Sequence, residues 1–392
     1  MAGKTPPCKI ALMKRTVYLD YAASAPLRPE AARAMAASGQ NYFGNASSVH
    51  SVGQQALNAI DASAATIAQI FNCRADELIF VSGGTEADNL AIKGVAKRSA
   101  RGHIITSAIE HKAVLASCEA LAKEGFDITY IKPDASGVIN PHKVREAVRE
   151  HTVLVSIMYV NNETGIVQPI SEIGAVLAEI NNGRQNKVLL HTDAVQAGLL
   201  DLNVQTLGVD LMTISAHKLG GPKGVGCLFA RSGINLVPQI DGGGQQRGVR
   251  SGTLNTAGIA GLTAALTASQ KNREKEVARL GILQRRLTEG LKKLPGIEMN
   301  GDMHYRTPSI LNFSIAGQTS EALVIGCDLE GVAISAASAC SAGSIQPSYV
   351  LHAMGLSDER AQSSLRVSLG YRTKIGEIDT LLRVLTKLSQ SR

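Results

Sequence analysis

The sequence of 392 residues predicts an α/β protein, with a mainly parallel seven-stranded sheet in a large domain and a smaller α+β domain after it. From about residue 77 to residue 230, short β-branched runs alternate with amphipathic helical stretches, as they do in parallel sheets covered by helices. After Thr253, a long Ala- and Leu-rich stretch precedes a few short strands and a last helix. Ligands of such sheets gather where strands end and helices begin, so functional residues are expected there.

The elements follow from these patterns in order. The predicted strands of the large sheet are Glu77–Val81, His103–Ser107, Asp127–Ile131, Thr152–Met158, Lys187–Thr192, Leu211–Ile214 and Val225–Ala230. Helices are predicted between most of them, for example over Thr85–Arg98 and Ile170–Asn181. The elements predicted for the smaller domain are a helical stretch at 256–294, strands at Ser309–Ser314, Val332–Ser335 and Leu365–Ser368, and a helix at Gly376–Ser389. With a hinge at about residue 270, the large domain is predicted to cover residues 25–270, and the smaller one residues 1–24 and 271–392.

The composition excludes several classes of protein. With 44% hydrophobic and 19% charged residues, the chain is neither disordered nor collagen-like, and its apolar runs are too short for a membrane span. Aromatic residues make up only 4% and Trp is absent, which argues against stacking on bases. The formal charge of +7 is mild for this length. The expected partners are therefore anionic small molecules or an acidic protein, and neither nucleic acid nor a membrane.

The N-terminus and the cysteines indicate where in the cell the protein is located. The stretch Met1–Arg15 is basic and lacks the apolar core of a secretory signal. It is interpreted as a short tail, with a transit peptide as the alternative, and a cytoplasmic location is expected. None of the six cysteines forms a C-x-x-C pair or a zinc-like spacing. They are expected to be reduced thiols, and no metal site is expected.

A lysine directly follows one of the predicted strands. The segment Leu211–Gly226 carries Ser215, His217 and Lys218 at the end of its strand, before a glycine-rich turn. A lysine removed from solvent there is a nucleophilic amine that forms Schiff bases with carbonyl cofactors, and its two polar neighbours can donate to a phosphate. The alternative interpretation of Lys218 is an exposed lysine after a strand. Lys223 is the competing candidate for the Schiff-base lysine.

An aspartate ends the strand before that one. The apolar run within Val188–Gln196 leads to Asp193, and a buried carboxylate needs a cationic partner. A protonated pyridine nitrogen is such a partner. A lysine that forms a Schiff base and an aspartate that binds the pyridine nitrogen are the two groups that a protein supplies to pyridoxal phosphate. Gln196 can then donate a hydrogen bond to the ring oxygen. An aspartate at a strand end is common by itself, and it becomes informative together with Lys218.

A glycine turn offers a site for the phosphate. The strand Glu77–Val81 leads through Gly83 and Gly84 into a helix that is predicted to begin at Thr85. Exposed amides and a hydroxyl at a helix N-terminus bind anions. An ordinary threonine cap, with Glu86 in the first turn of the helix, is the alternative.

Eight segments, in order along the chain, resemble those of the cysteine desulfurases, and the resemblance covers roughly residues 17–385. The segments are Tyr18–Ala23, Gly83–Asn89, Glu110–Lys112, Asn161–Glu163, Ser215–Lys218, Arg250–Thr253, Ser338–Cys340 and Ser363–Gly370. The resemblance implies the fold type I architecture of PLP-dependent transferases, with pyridoxal 5'-phosphate as the cofactor. It also implies a homodimer that takes sulfur from L-cysteine and leaves L-alanine.

The resemblance implies a role for each matching residue. Lys218 would hold the cofactor covalently and transfer protons, while His111 would stack on the ring and assist, with a helix-cap histidine as the alternative. Asp193 and Gln196 would bind the ring nitrogen and the ring oxygen. The implied phosphate ligands are Gly84, Thr85, Ser215, His217 and Thr253 of the partner subunit. The implied ligands of the substrate carboxylate are Asn162, which also contacts the cofactor, and Arg366, whose planar fork suits a carboxylate.

Cys340 is the distinguishing residue of the resemblance. It lies in Ala336–Ser344, a run of small residues with little to pack into a core, whereas Cys73 and Cys227 are interpreted as inert hydrophobic residues in strands. A thiolate on a loop can attack the sulfur of a substrate. The following segment, Gln346–Gly355, resembles the longer-loop branch of the family, which serves iron–sulfur assembly and tRNA thiolation. An iron–sulfur scaffold or another sulfur-acceptor protein is therefore the expected partner.

Two departures and two alternatives accompany this resemblance. Ala46 stands where proline is usual, and Ser341 where threonine is common, but neither residue carries a role assigned above. One alternative is a selenocysteine lyase or another aminotransferase-fold PLP enzyme, and Cys340 argues against a simple aminotransferase. The other is a catalytically silent sulfur-delivery scaffold, and the intact set of Lys218, Asp193 and His111 argues against it.

Overall fold

The structure, a computed structural model, describes residues 16–337 and 347–390. Its strands are β1 (Val17–Tyr18), β2 (Leu78–Val81), β3 (His103–Ser107), β4 (Asp127–Ile131), β5 (Thr152–Ser156), β6 (Leu189–Asp193), β7 (Leu211–Ser215), β8 (Gly226–Ala230), β9 (Ile297–Met299), β10 (Ile310–Ile315), β11 (Val332–Ala333), β12 (Ser335–Ala336) and β13 (Ser364–Ser368). Its α-helices are α1 (Pro29–Asn41), α2 (Ser51–Phe71), α3 (Gly84–Ala96), α4 (Lys112–Lys123), α5 (Pro141–Ala147), α6 (Ile170–Asn181), α7 (Val204–Leu207), α8 (Thr256–Lys271), α9 (Arg273–Leu291), α10 (Ser320–Leu329), α11 (Tyr349–Ala353), α12 (Asp358–Gln362) and α13 (Ile375–Gln390).

The large sheet has seven strands in the order β2-β8-β7-β6-β5-β3-β4. Only β8 runs antiparallel to its neighbours β2 and β7, and the other pairs are parallel. The predicted α/β class with a mainly parallel seven-stranded sheet is confirmed. Because parallel neighbours end at the same edge, the residues that follow β3, β5, β6 and β7 meet there.

Both faces of this sheet are buried. Along β5 and β7, alternate side chains enter opposite layers: Val155 and Met212 join one hydrophobic cluster, whereas Leu154 and Leu211 join the other. Side chains that alternate in this way are expected for a pleated strand whose two faces are both covered by helices. Each fully buried Leu or Val side chain stabilises the fold by about 1.5–3 kcal/mol. The edge where the strands end is therefore carried on a rigid core.

A second, antiparallel sheet has the order β12-β13-β10-β9 and packs with α9, α10 and α13 around its own hydrophobic cluster. That cluster includes Phe313 and Leu365 from the sheet and Leu19 from the N-terminal segment, because β1 pairs in parallel with β11. On this grouping we propose the domain boundaries predicted above, with residues 25–270 in the large domain and the two flanking segments in the small one.

Two predicted elements differ from the observed ones. The helical stretch at 256–294 is interrupted at Asn272, whose backbone leaves helical geometry at φ −110 and ψ 12, so that α8 and α9 are separate helices. The predicted strand Val332–Ser335 is divided between two sheets, since β11 pairs with β1 and β12 pairs with β13. Within residues 16–337 and 347–390, no helix is both long and apolar enough to cross a membrane.

One glycine of β8 supports the turn that leads into α3. A Cβ atom added at Gly226 would lie 2.7 Å from the Ile214 carbonyl oxygen and 2.9 Å from Gly83 Cα. We therefore expect Gly226→Ala to lower the free energy of unfolding by about 1–3 kcal/mol through overpacking, measured by urea denaturation. Gly281→Ala in α9 is the control, since open space surrounds it, and alanine there should stabilise the helix by about 0.5–1 kcal/mol. A Gly226→Ala protein as stable as the wild type would contradict this packing.

Candidate active site

A cavity of about 300 Å³ lies at the edge where the parallel strands end. Except for Thr253, all the predicted site residues within the described part of the chain line it: Gly84, Thr85, His111, Asn162, Asp193, Gln196, Ser215, His217, Lys218 and Arg366. These residues come from six separate segments of the sequence, and one of them, Arg366, comes from the small sheet. The topology therefore brings together residues that the sequence keeps apart.

Lys218 reaches the cavity from the turn that follows β7. Its Nζ atom donates to the carbonyl oxygens of Ala22 at 2.6 Å and Ala23 at 2.9 Å, so the N-terminal segment holds the amine in place. Lys223, the competing candidate, is exposed and lies in the wider opening beside the glycine turn. Of the two lysines, only Lys218 lines the inner cavity.

Asp193 is the last residue of β6 and is 6% exposed. Its Oδ1 atom accepts a hydrogen bond from the Val195 amide at 2.9 Å. Burial raises the pKa of this carboxyl, while His111 and Lys218 counteract the shift. A carboxylate in this position is stabilised by any cation that enters the cavity.

A second buried acid, Asp88, lines the same cavity and was not found from the sequence. It is 1% exposed, and its Oδ1 atom lies 3.7 Å from Nε2 of His191. Burial and the neighbouring Asp193 raise the pKa of Asp88 well above its usual range, and burial lowers the pKa of His191 to about 3. His191 is thus neutral, and the pKa shift of Asp88 favours its protonated form, whereas the pKa shift of Asp193 is counteracted by His111 and Lys218. The signal that could have identified Asp88 is its place within an apolar helix, four residues after Gly84 of the glycine turn.

The glycine turn begins α3 one residue earlier than predicted, at Gly84, and no side chain caps this helix. A Cβ atom at Gly84 would lie 3.0 Å from Val195 Cγ2, so the backbone packs closely there. Ser215 is buried beside the turn, and Nδ1 of His217 lies 3.2 Å from Ser24 Oγ. Burial lowers the pKa of His217 to about 4, so this ring is neutral. Helix amides, hydroxyls and a neutral imidazole together suit a phosphate.

His111 lies at the start of α4, beside the cavity. It is the N-cap of α4, where its Nδ1 atom accepts from the Ala113 amide at 3.2 Å, and it also lines the cavity. That hydrogen bond assigns the ring proton to Nε2. Burial, together with the nearby Lys218, lowers the pKa of His111, although Asp193 opposes the shift.

Arg366 crosses from β13 into the cavity. It is 2% exposed, and it donates to Asp20 Oδ1 at 2.8 Å and to the Asn162 carbonyl at 2.9 Å. Within the described residues, its Nε atom and Oδ1 of Asn162 have no hydrogen-bond partner. Buried polar atoms without partners are costly, so this end of the cavity suits a ligand that offers an acceptor to Arg366 and a donor to Asn162, as an amino acid does.

Two predicted site residues remain, Thr253 and Cys340. Thr253 is exposed in the loop before α8, and Cys340 lies outside the described residues. Burial raises the pKa of the thiols of Cys73, Cys118 and Cys327 to about 12, and it raises that of Cys227 further. Cys227 lies in β8 as predicted, but Cys73 follows α2 and is not in a strand. These thiols are poor nucleophiles at neutral pH.

Both chain ends that flank residues 338–346 are attached near the site. On one side, the Ala337 amide donates to the Ser364 carbonyl at 3.2 Å, two residues before Arg366. On the other side, the Ser348 hydroxyl donates to Glu163, and the Tyr349 hydroxyl donates to the carbonyl of Glu110, next to His111, at 2.6 Å. Burial raises the pKa of Glu163 to about 7.

These residues fit pyridoxal phosphate. The glycine turn suits the phosphate, the buried Asp193 suits a pyridinium nitrogen, and Lys218 suits the aldehyde. The partnerless Nε–H of Arg366 remains as a donor to an amino-acid carboxylate, and Oδ1 of Asn162, an acceptor, remains for a donor such as the amino group of the same substrate.

Comparisons with known proteins agree with this fit. The family model described as "Aminotransferase class-V" matches residues 17–381, so the chain belongs to the class-V aminotransferases, and it is a PLP-dependent enzyme. Within that class, it belongs to the cysteine desulfurase family. The relative "Cysteine desulfurase IscS" of Dictyoglomus turgidum is 44% identical over 384 residues, covering 96% of each chain. That of Photobacterium profundum is 44% identical over 375 residues, covering 94% of this chain and 91% of its own.

Solved structures resemble this fold closely. A "NifS-like protein" has a TM-score of 0.89 and 31% identity, covering 96% of this chain and 99% of its own. The structure titled "SspA in complex with cysteine" has a TM-score of 0.76 and 36% identity, covering 90% of this chain and 98% of its own.

A buried glutamate beside His111 makes the stability of the protein depend on pH. Glu110 accepts hydrogen bonds from Ser107 Oγ at 2.5 Å and from the Met158 amide at 3.0 Å, and burial raises its pKa to about 8. Since the folded state then holds this proton more tightly than the unfolded chain, the contribution of Glu110 to stability falls as the pH rises from about 4.5 to 8.

Glu110→Gln removes this dependence, so the variant should gain stability relative to the wild type between pH 5 and pH 9, as measured by urea unfolding. Glu119→Gln, at an exposed position on α4, is the control and should show no such trend. If the difference in unfolding free energy between Glu110→Gln and the wild type were the same at all pH values, this would contradict the raised pKa of Glu110.

Proposed function

We propose that this protein removes sulfur from L-cysteine, producing L-alanine and a persulfide on Cys340. The observation that carries the proposal is the meeting of Lys218, Asp193 and Arg366 in one cavity. Membership of the cysteine desulfurase family supports the same reaction. A lysine, a buried acid and a buried arginine are the groups needed for cofactor attachment, ring protonation and recognition of an amino-acid carboxylate.

The cofactor contacts are proposed residue by residue. Gly84, Thr85, Ser215 and His217 bind the phosphate, and Gln196 donates to the ring oxygen. Asp193 keeps the ring nitrogen protonated, while His111 and Asn162 contact the ring. The bound cofactor supplies a cationic ring that withdraws electrons from the substrate Cα.

The chain's own residues perform the remaining steps. Arg366 and Asn162 hold the substrate carboxylate, and Lys218 takes the Cα proton and returns protons to the carbon skeleton. The Cys340 thiolate then attacks the substrate sulfur. The carbon–sulfur bond breaks, the sulfur stays on Cys340 as a persulfide, and the carbon skeleton takes up protons and leaves as alanine.

Assembly and partners complete the proposal. Thr253 is exposed and lies away from the cavity of its own chain, which agrees with a role at the phosphate of a second copy in a homodimer. The persulfide goes to an iron–sulfur scaffold or another sulfur-acceptor protein, including one that serves tRNA thiolation. The cytoplasm is the proposed location.

Lys218 is tested by covalent trapping. Because its amine lines the cavity and that of Lys223 does not, borohydride reduction of the loaded wild type should leave a stable adduct on the peptide that contains Lys218. Peptide mass spectrometry should find no adduct in Lys218→Ala, whereas Lys223→Ala should retain it. An adduct on Lys223 in the Lys218→Ala protein would contradict the assignment.

Cys340 is tested by separating proton transfer from sulfur transfer. A serine hydroxyl is a far weaker nucleophile than a thiolate, so Cys340→Ser should lower alanine release by about a hundredfold or more. Exchange of the L-cysteine Cα proton in D₂O should persist, because Lys218, Asp193 and Arg366 are intact. Cys73→Ser is the control and should release alanine normally. Normal release by Cys340→Ser, with the persulfide on another cysteine, would overturn this role.

A further inference from the structure

The loop that carries Thr253 is attached to the rest of its chain at several points. It covers residues 240–253 between β8 and α8, and it includes three consecutive glycines, Gly242–Gly244. A glycine-rich loop has many conformations available to it. A fixed position for Thr253 therefore requires specific contacts along the loop.

The first contact is made by Gln246 on the edge of the large sheet. Its side chain accepts from the Phe80 amide at 2.7 Å and donates to the Phe80 carbonyl at 2.8 Å. Phe80 lies in β2, which is the edge strand. The amide side chain thus supplies the pair of hydrogen bonds that a further strand would make.

The backbone at this contact is strained. Gln246 has φ 48 and Arg247 has φ 62, which is the left-handed region that side chains other than glycine seldom adopt. Consecutive residues of this kind persist only where their surroundings hold them. Here the Gln246 pairing, and a hydrogen bond from Arg247 to the Asp76 carbonyl, hold them.

The second contact joins the loop to the glycine turn of the site. Arg250 donates to both carboxylate oxygens of Glu86, at 2.8 and 3.3 Å, and the Ser82 amide donates to the same carboxylate at 2.7 Å. The Arg250 and Glu86 side chains are 19% and 14% exposed. Burial alone would raise the pKa of Glu86, but the hydrogen bonds from Arg250 and Ser82 outweigh it and lower the pKa. Ser82 and Glu86 stand on either side of the turn at Gly83–Thr85.

We propose that Gln246 and Arg250 are positioning residues for the cofactor phosphate. They attach the 240–253 loop to β2 and to Glu86, and so fix Thr253, three residues after Arg250. This inference rests on the proposed function, which gives Thr253 its contact with the phosphate. Neither positioning residue touches the cofactor, and both act through Thr253.

The test compares two ligands that differ only in the phosphate. The full-length protein, freed of cofactor, is titrated with pyridoxal 5'-phosphate and with pyridoxal. Thr253→Ala, Arg250→Ala, Glu86→Gln and Gln246→Ala should each bind pyridoxal 5'-phosphate about tenfold more weakly, the size expected from losing one charge-assisted hydrogen bond. Their affinity for pyridoxal should stay at the wild-type value. Arg250→Lys, which keeps the charge, should recover part of the loss.

A double variant decides whether Arg250 acts through Thr253. If it does, Arg250→Ala combined with Thr253→Ala should bind no more weakly than Thr253→Ala alone. Additive losses, or equal losses for both ligands, would overturn the positioning role. If Thr253→Ala weakens phosphate binding but Arg250→Ala and Arg250→Lys do not, the inference fails and the proposed function stands. If Thr253→Ala changes neither affinity, the proposed role of Thr253 fails, and the inference fails with it.

Discussion

The burial of a negative charge at the end of β6 is the constraint on which the site depends. Removing a carboxylate such as Asp193 from water costs several kcal/mol unless a cation compensates it. The sheet supplies compensation because β7 is the parallel neighbour of β6, so Lys218 arrives at the same edge. Asp88 and Glu110 are buried nearby, and burial raises the pKa of each, which favours their protonated forms. His111 and Lys218 counteract the effect of burial on the pKa of Asp193, which favours a negative charge there, where a pyridinium nitrogen would pair with it.

The small sheet completes the cavity from the other side. Arg366 lies at the centre of this sheet, opposite Asn312 on β10 and Ser335 on β12. Asp20 in the N-terminal segment accepts from the same guanidinium group. That segment also supplies the carbonyls that hold the Lys218 amine. Residues 20–23 therefore hold both the Lys218 amine and the Arg366 guanidinium group.

Much of the fold was predictable because buried parallel strands leave a strong signal. The bounds of β3, which is buried throughout, match the prediction, since the run Ile104–Thr106 marks it clearly. The break at Asn272 was not predicted, because helical periodicity continues across a single non-helical residue. Lys218 was chosen over Lys223 from the sequence by the resemblance, and the structure adds its hydrogen bonds to Ala22 and Ala23 and its place in the cavity. Asp88 and Gln246 were missed because their contacts, with His191 and Phe80, are with residues that are distant in sequence.

The most direct test of this account is the protonation state of the pyridine nitrogen in the loaded enzyme. Cofactor labelled with ¹⁵N in the ring can be bound to the wild type and to Asp193→Asn, and its NMR shift reports whether the nitrogen carries a proton. The account predicts a protonated nitrogen in the wild type at neutral pH and an unprotonated one in Asp193→Asn, because an amide cannot stabilise the cation as a carboxylate does. The same shift in both proteins would contradict the central role of the buried charge at the end of β6.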